Sequence, residues 1–160
     1  MIRTTLLSLA LAAATSLSLA ACSDGSDVAE ASRAITMPEL VNPNTADAVT
    51  LLAVEGIDDE MLAELMTVRP FADGVAFADF LSETRDDATR EVILGQAFVP
   101  LDLNTTAEAD FEIIPGVGPK MAHEFEEYRP YTDMAQFERE IGKYVDAEEL
   151  ARLRRYVVIN

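Results

Sequence analysis

Apolar residues recur at intervals of three and four along the chain after residue 41, a spacing that predicts short amphipathic helices. The two clearest stripes are Leu62, Leu65 and Met66, and Ala122, Phe125 and Tyr128. An Arg-Pro pair follows each stripe, and a helix must stop before a proline. The pattern therefore predicts helices over 59–68 and 119–128 in an all-α protein with no sheet of consequence.

Each of these helices belongs to a predicted group of four. The first helices are expected over 46–53 and 106–113, with an N-cap at their starts. The candidate caps are Asn44 or Thr45, and Asn104 or Thr105. Third helices carry apolar residues at Phe77, Phe80, Leu81, Phe137 and Ile141. Fourth helices over 87–96 and 147–156 are expected to bury Val92, Ile93, Leu150 and Leu153. Short apolar tails over 97–99 and 157–159 end the two groups.

The two groups are copies of one unit, because a shift of 60 residues aligns them without a gap. Matching pairs are Asn44 with Asn104, Gly56 with Gly116, Arg69-Pro70 with Arg129-Pro130, Asp73 with Asp133, Phe77 with Phe137, and Asp86 with Asp146. Fixed-period similarity of this kind is the mark of an internal repeat. We therefore expect two tandem modules, 41–100 and 101–160, which we call the first and second repeat.

The chain before the repeats predicts export and anchoring. Residues 1–21 combine one basic residue, an apolar run and small residues, which is typical of a secretory signal peptide. The sequence Leu-Ala-Ala before Cys22 resembles the bacterial lipobox, in which the cysteine is lipidated. Ser23 follows, and by the same resemblance it favours the outer over the inner membrane. Residues 22–40 then form a flexible tether with a reach of about 20 Å, facing the periplasm. A plain signal peptide with a stray cysteine is the alternative.

Charge limits the kinds of partner. The chain has 29 acidic and 12 basic residues, for a net charge of −17. The first repeat has three basic against twelve acidic residues (−9), and the second has seven against thirteen (−6). Such a balance argues against indiscriminate binding to nucleic acid or anionic lipid. It leaves room for one local anion site, since salt screens repulsion beyond about 8–10 Å.

One stretch has the composition of a phosphate-binding hairpin. Gly116, Val117 and Gly118 precede Pro119 and Lys120, at the start of the second helix of the second repeat. The glycines permit close approach of another backbone, and free N–H groups at a helix start bind phosphate oxygens. Contacts of this kind carry no sequence information. The supporting basic residues are expected to be Lys143, Arg152, Arg154 and Arg155.

The surrounding segment, LNTTAEADFEIIPGVGPKMAHEFEEYRPYTDMAQFEREI, resembles the helix-hairpin-helix unit of ComEA-type DNA-uptake proteins. The similarity covers 101–160 well and 41–100 more weakly. It implies a helix-hairpin-helix fold and sequence-independent binding of the double-stranded DNA backbone. The Arg-Pro-Tyr connection is also similar to PsbU, whose role is structural. The resemblance therefore indicates a fold more firmly than a function.

The other three hairpin positions depart from the family pattern. Aspartate stands at the second-glycine position in each of them, at Asp58, Asp86 and Asp146. Aspartate is a good N-cap, so we expect these three positions to be self-capped and to repel phosphate. Glu149 lies three residues after Asp146 and resembles the second half of a capping box. Acidic residues also follow the intact hairpin, at Glu124, Glu126 and Glu127.

Two functions remain open on these grounds. One is a membrane-anchored DNA-binding protein that uses the second repeat. The other is an acidic scaffold in the cell envelope that meets a basic protein partner, with vestigial hairpins. Catalysis is not expected, because His123 is the only histidine and has no nucleophile or base at useful spacing. No cofactor and no metal are expected, since neither a zinc nor an EF-hand pattern is present.

Overall fold

The computed structural model describes residues 37–160, all of which belong to one compact unit. The predicted signal peptide, Cys22 and the tether up to residue 36 lie outside the described residues. None of the helices between Met37 and Asn160 is long and apolar enough to cross a bilayer.

The all-α prediction is confirmed. The first repeat contains α1 (Ala48–Leu52), α2 (Asp59–Val68), α3 (Gly74–Thr84) and α4 (Asp87–Leu94). The second repeat contains a 3-10 helix (Glu108–Ile113), α5 (Pro119–Glu127), α6 (Met134–Ile141) and α7 (Ala147–Arg154). The strands β1 (Leu101–Asp102) and β2 (Val157–Val158) form a parallel pair of two residues each.

The predicted apolar stripes are mostly, but not entirely, the buried faces. Leu65, Phe125, Phe77 and Ile93 are fully buried, as expected. Two predicted core residues, Met66 and Val92, are each 41% exposed. Met61 takes the buried position in α2 instead. It lies four residues before Leu65, so that it and Leu65 share one face.

The first helices differ from their prediction in both type and capping. In the second repeat the first helix is a 3-10 helix, and no side chain caps it. In the first repeat Asp47, and not Asn44 or Thr45, accepts the N–H of Thr50 at 2.8 Å. Side-chain caps act on the residues two or three positions ahead, and Asn44 lies too early in the chain for that role.

Asn44 and Asn104 instead fix the connection that follows the second helix. The Asn104 amide donates to the carbonyl of Tyr131 at 3.0 Å and accepts the Tyr131 N–H at 2.7 Å. Asn44 makes the same two bonds to Phe71, both at 2.8 Å. The side-chain amide of each asparagine therefore satisfies both backbone groups of one residue, as a paired β-strand would. That residue lies 27 positions later in the sequence.

The same elements recur 60 residues apart. Val41 bridges Ala97 in parallel, and Leu101 pairs with Val157 in the same sense. Asp73 caps α3 through Ala76, and Asp133 caps α6 through Gln136. The Arg-Pro bond is cis in both halves, and Gly56 and Gly116 both have positive φ.

A shared core joins the two halves. The ring of Phe98 packs edge-to-face on the ring of Tyr156, with 4.9 Å between their centroids. Gly74 leaves room for this contact, because a Cβ there would lie 2.6 Å from Phe98. The guanidinium of Arg155 donates to the carbonyl of Pro38 at 2.6 Å, so that the described chain begins beside α7.

Candidate nucleic-acid interface

The intact hairpin lies between the 3-10 helix and α5. Gly116 has φ +81°, in the left-handed region that favours glycine. The N–H of Val117 donates to the carbonyl of Ile114 at 2.9 Å, and the Val117 side chain is buried. The turn is therefore fixed from inside by an apolar residue, while Gly116 and Gly118 are exposed on its outside.

Free donors and a free cation face solvent at the start of α5. Gly118 is the N-cap residue and supplies no side-chain cap. Within residues 37–160, the N–H groups of Gly118 and Lys120 have no acceptor, and the Lys120 ammonium has no ion pair. Pro119 has no N–H to satisfy. Uncapped donors at the positive end of a helix dipole, beside a lysine, have the chemistry that binds an anionic oxygen.

The helix starts at the other three hairpin positions are occupied by aspartate, as the sequence predicted. The carboxylates of Asp58, Asp86 and Asp146 accept the N–H groups of Met61, Thr89 and Glu149 at 2.8, 2.9 and 2.9 Å. The capping box expected at Asp146 does not form. Both carboxylate oxygens of Glu149 instead bind Arg152 at 2.7 Å.

Asp58 has a second partner that sequence reasoning missed. Its Oδ1 lies 2.8 Å from Nη2 of Arg85, which directly precedes the N-cap residue of α4. The ion pair therefore links the start of α2 to the start of α4. A carboxylate held by a helix N–H and a guanidinium stands where a bound phosphate would stand. The equivalent position in the second repeat is Val145, so the intact hairpin has no such arginine.

The caps at Asp58 and Asp86 lower the pKa of these two carboxyl groups. The hydrogen bond from the Met61 N–H, together with the Arg85 guanidinium, holds the pKa of Asp58 below its ordinary value. The Thr89 N–H does the same for the pKa of Asp86. A carboxyl group whose pKa is lower in the folded than in the unfolded chain stabilises the fold above its unfolded pKa. That contribution is lost as the pH falls through the folded pKa.

We therefore expect the melting temperature to fall steeply below about pH 4, where these carboxylates become protonated. Thermal unfolding followed by circular dichroism between pH 6 and pH 2.5 measures the effect. Asp58→Ser is the matched variant, because a serine hydroxyl caps the helix but does not titrate. It should lose less stability than the parent across this range. An identical pH profile for the two proteins would contradict the assignment.

Of the four supporting basic residues, Arg152 lies beside the hairpin, with its Nη2 3.4 Å from the position of a Cβ on Gly116, although Glu149 already pairs with it. Lys143 pairs with Glu140 and lies over the Tyr128 ring, with 5.0 Å to the centroid. The remaining two make their contacts elsewhere: Arg154 with Glu138, and Arg155 with the Pro38 carbonyl.

The acidic residues of α5 are arranged differently from the prediction. Glu126 and Glu127 are exposed, but Glu124 is 9% exposed, and its Oε2 has no partner within the described residues. Glu124 therefore does not present a free charge to a ligand at the hairpin. The sequence contains a signal for the burial of Glu124, because Glu124 lies four residues before Tyr128 and the two positions share a helix face. His123 is exposed, and Glu108, 3.4 Å away, raises its pKa.

An acidic wall nevertheless adjoins the hairpin from the first repeat. A cleft of about 520 Å³ separates α3 and α4 from the segment 112–116. Its lining includes Asp79, Asp87 and Glu91 together with Gly116, and one basic residue, Arg90, which pairs with Asp87 at 3.2 Å. The hairpin at Gly116 is therefore accessible to an anion, but these carboxylates repel the anion as it approaches. The repulsion lowers the affinity for the anion most at low salt, where charges are least screened.

No group of three or more potential metal-binding side chains occurs among the described residues. No family model, no curated protein and no solved structure matches this chain.

Proposed function

We propose that this protein is an exported, lipid-anchored DNA-binding protein that holds the backbone of double-stranded DNA through the second repeat. The contact is made by Gly116, Gly118 and Lys120, without base recognition and without catalysis. Two features support this function. One is the resemblance of the segment 103–141 to ComEA-type proteins, and the other is the state of the helix start at the hairpin. The start of α5 is uncapped and exposed, whereas α2, α4 and α7 are each capped by an aspartate.

The number of free contacts sets the expected strength. One hairpin with one lysine neutralises one or two phosphates, so that binding to DNA is weak. The logarithm of the binding constant should fall linearly with the logarithm of the salt concentration, with a slope of about −1 to −2. Arg152 adds to the site only if DNA displaces Glu149 from its guanidinium. The net charge of −17 weakens the approach of DNA further.

Duplex-DNA binding by residues 23–160 at low and at physiological salt tests the proposal. Fluorescence anisotropy with two duplexes of unrelated sequence should give equal affinities with the shallow salt dependence given above. An absence of binding even at low salt would overturn it. The acidic-scaffold function would then be favoured, because self-capped helix starts and an acidic wall are what such a scaffold needs.

Anchoring is a separate part of the proposal and rests on the lipobox resemblance around Cys22. The acyl chains on Cys22 would hold the protein at the membrane, each buried CH₂ contributing about 0.8 kcal/mol. Cys22→Ser is expected to move the protein from the membrane fraction to the soluble fraction of the cell envelope. Immunoblotting of the two fractions measures this. A variant that remains with the membrane would contradict lipidation at this residue.

A further inference from the structure

The guanidinium of Arg152, on α7, lies against the intact hairpin. Its Nη2 is 3.4 Å from the position that a Cβ on Gly116 would take, and its Cζ is 4.0 Å from that position. Apart from the chain neighbours of Gly116, no other group of the described residues comes within 4 Å of it. Because Gly116 is exposed, the guanidinium borders the surface that the hairpin presents to a ligand.

Two contacts fix Arg152 in this position. Its guanidinium lies over the buried ring of Tyr156, with 5.7 Å between Cζ and the ring centroid. Its Nε and Nη2 donate to Oε2 and Oε1 of Glu149, both at 2.7 Å. Carboxylate and phosphate groups bind arginine through the same pair of parallel N–H···O bonds. Glu149 therefore occupies an edge of the guanidinium that a phosphate would otherwise use.

The first repeat closes this side of its hairpin with apolar groups. A Cβ on Gly56 would lie 2.9 Å from Cγ1 of Ile93 and 3.1 Å from Cγ2 of Thr89. The residue 60 positions before Arg152 is Val92, and Thr89 is the equivalent of the glutamate that pairs with Arg152. The arginine and its carboxylate partner thus occur on the fourth helix of the repeat whose hairpin keeps both glycines.

We propose that Arg152 is a second phosphate-binding residue of this hairpin and that Glu149 masks it. This role of Glu149 rests on the DNA-binding function proposed above and sets the strength of that binding. In the free protein the Glu149 carboxylate acts as an internal anion on the guanidinium, while the N–H groups at the start of α5 and Lys120 stay open to DNA. Ion pairs near the surface contribute little to stability, so that a DNA phosphate can displace Glu149 without unfolding α7.

Glu149→Gln is expected to raise the affinity of residues 23–160 for duplex DNA about tenfold at low salt, because Arg152 then neutralises one more phosphate. The slope of the logarithm of the binding constant against the logarithm of the salt concentration should steepen by about 0.9. Asp146 remains the N-cap of α7, because it accepts the backbone N–H of residue 149 at 2.9 Å, and the substitution keeps that group. Fluorescence anisotropy with the duplexes described above measures both quantities.

Glu138→Gln is the matched control. Glu138 pairs with Arg154 at 2.6 Å, so this substitution also removes one negative charge and also frees one arginine of α7. Arg154 lies two residues after Arg152, about 200° further around the helix, and therefore on a different side of α7 from the hairpin. The affinity of the control variant for DNA should stay within a factor of about two of the parent.

Arg152→Gln combined with Glu149→Gln separates the guanidinium from the general effect of charge. The combined variant should lose the gain in affinity that Glu149→Gln produces. Glu149→Gln combined with Gly118→Asp should lose it too, because the gain arises at the hairpin. Glu148 lies four residues before Arg152 and is placed to replace its missing partner. Glu148→Gln is therefore added to Glu149→Gln if Glu149→Gln alone shows no gain.

These variants distinguish masking by Glu149 from the function on which it rests. Masking is wrong, and the hairpin function stands, if Gly118→Asp abolishes DNA binding by the parent while neither Glu149→Gln nor its combination with Glu148→Gln binds more tightly. An equal gain in Glu138→Gln, or a gain that persists without Arg152, would also overturn masking. An absence of DNA binding in the parent and in every variant would overturn both proposals.

Discussion

Gly118→Asp is expected to reduce the affinity for duplex DNA by about tenfold to a hundredfold, or below detection. The change recreates at α5 the state of α2, where Asp58 accepts the Met61 N–H at 2.8 Å. By the same geometry a carboxylate at residue 118 would accept the Met121 N–H and lie beside the free N–H groups of Gly118 and Lys120, where its charge would repel phosphate. Loss of hydrogen bonds to a charged group amounts to about 1.5–3 kcal/mol, which corresponds to that range of affinity.

The substitution should not disturb the fold. Gly118 has φ −107°, which any residue adopts, and a Cβ there has no atom within 4 Å. Aspartate at this N-cap should even stabilise α5 by about 1 kcal/mol, which thermal unfolding measures. Gly118→Ala is the matched control, since it adds a Cβ without a carboxylate and should bind DNA within a factor of about three of the parent. If Gly118→Asp binds as tightly as the parent, the hairpin is not the DNA contact.

Asn104→Ala is expected to destabilise the fold more than any other exposed or half-buried substitution discussed above. It removes both bonds that hold the backbone of Tyr131, at 3.0 and 2.7 Å. The Tyr131 N–H and carbonyl then lose their partners in a half-buried position, at a cost of about 2–3 kcal/mol. For a folded unit of this size the melting temperature should fall by roughly 10 °C.

Thr105→Ala separates this role from helix capping. Sequence reasoning placed Asn104 and Thr105 as alternative caps, but the Thr105 side chain is exposed. Removal of the Thr105 hydroxyl and methyl groups in Thr105→Ala should change the free energy of unfolding by less than about 0.5 kcal/mol. Urea denaturation of the two variants measures both values. Equal, small effects would show that the Asn104 bonds contribute little to stability.

The positions of most helices followed from local chemistry in the sequence. Asp58, Asp86 and Asp146 begin helices because a carboxylate pairs with the first free N–H groups, which involves residues only three apart. Pro70 and Pro130 end helices because proline excludes helical geometry at the preceding residue. Because the sequence repeats after 60 residues, a helix start or end predicted in one half predicts the equivalent start or end in the other half.

Features that depend on distant neighbours could not be read in the same way. The bond from Asn104 to Tyr131 spans 27 residues, and so does the ion pair of Arg85 with Asp58. The burial of Glu124 and the exposure of Met66 depend on which side of a short helix meets the rest of the fold, and a shift of one residue turns that side by about 100°. The pairing of Arg152 with Glu149 is local, at a spacing of three residues, but the sequence also offered Glu149 as a partner for the start of α7. Which of the two forms decides whether the basic residue next to Gly116 is free to meet an anion.

Phosphate binding at the hairpin is tested most directly by the chemical shifts of backbone amides during titration with duplex DNA at low salt. A ¹H–¹⁵N spectrum of residues 23–160 resolves Gly116, Gly118 and Lys120 separately from Asp58 and Thr89. We expect saturable shifts at the first three amides that vanish at high salt, with none at the capped helix starts. Shifts that spread evenly over the surface, or that are absent at Gly118 and Lys120, would contradict phosphate binding at this hairpin.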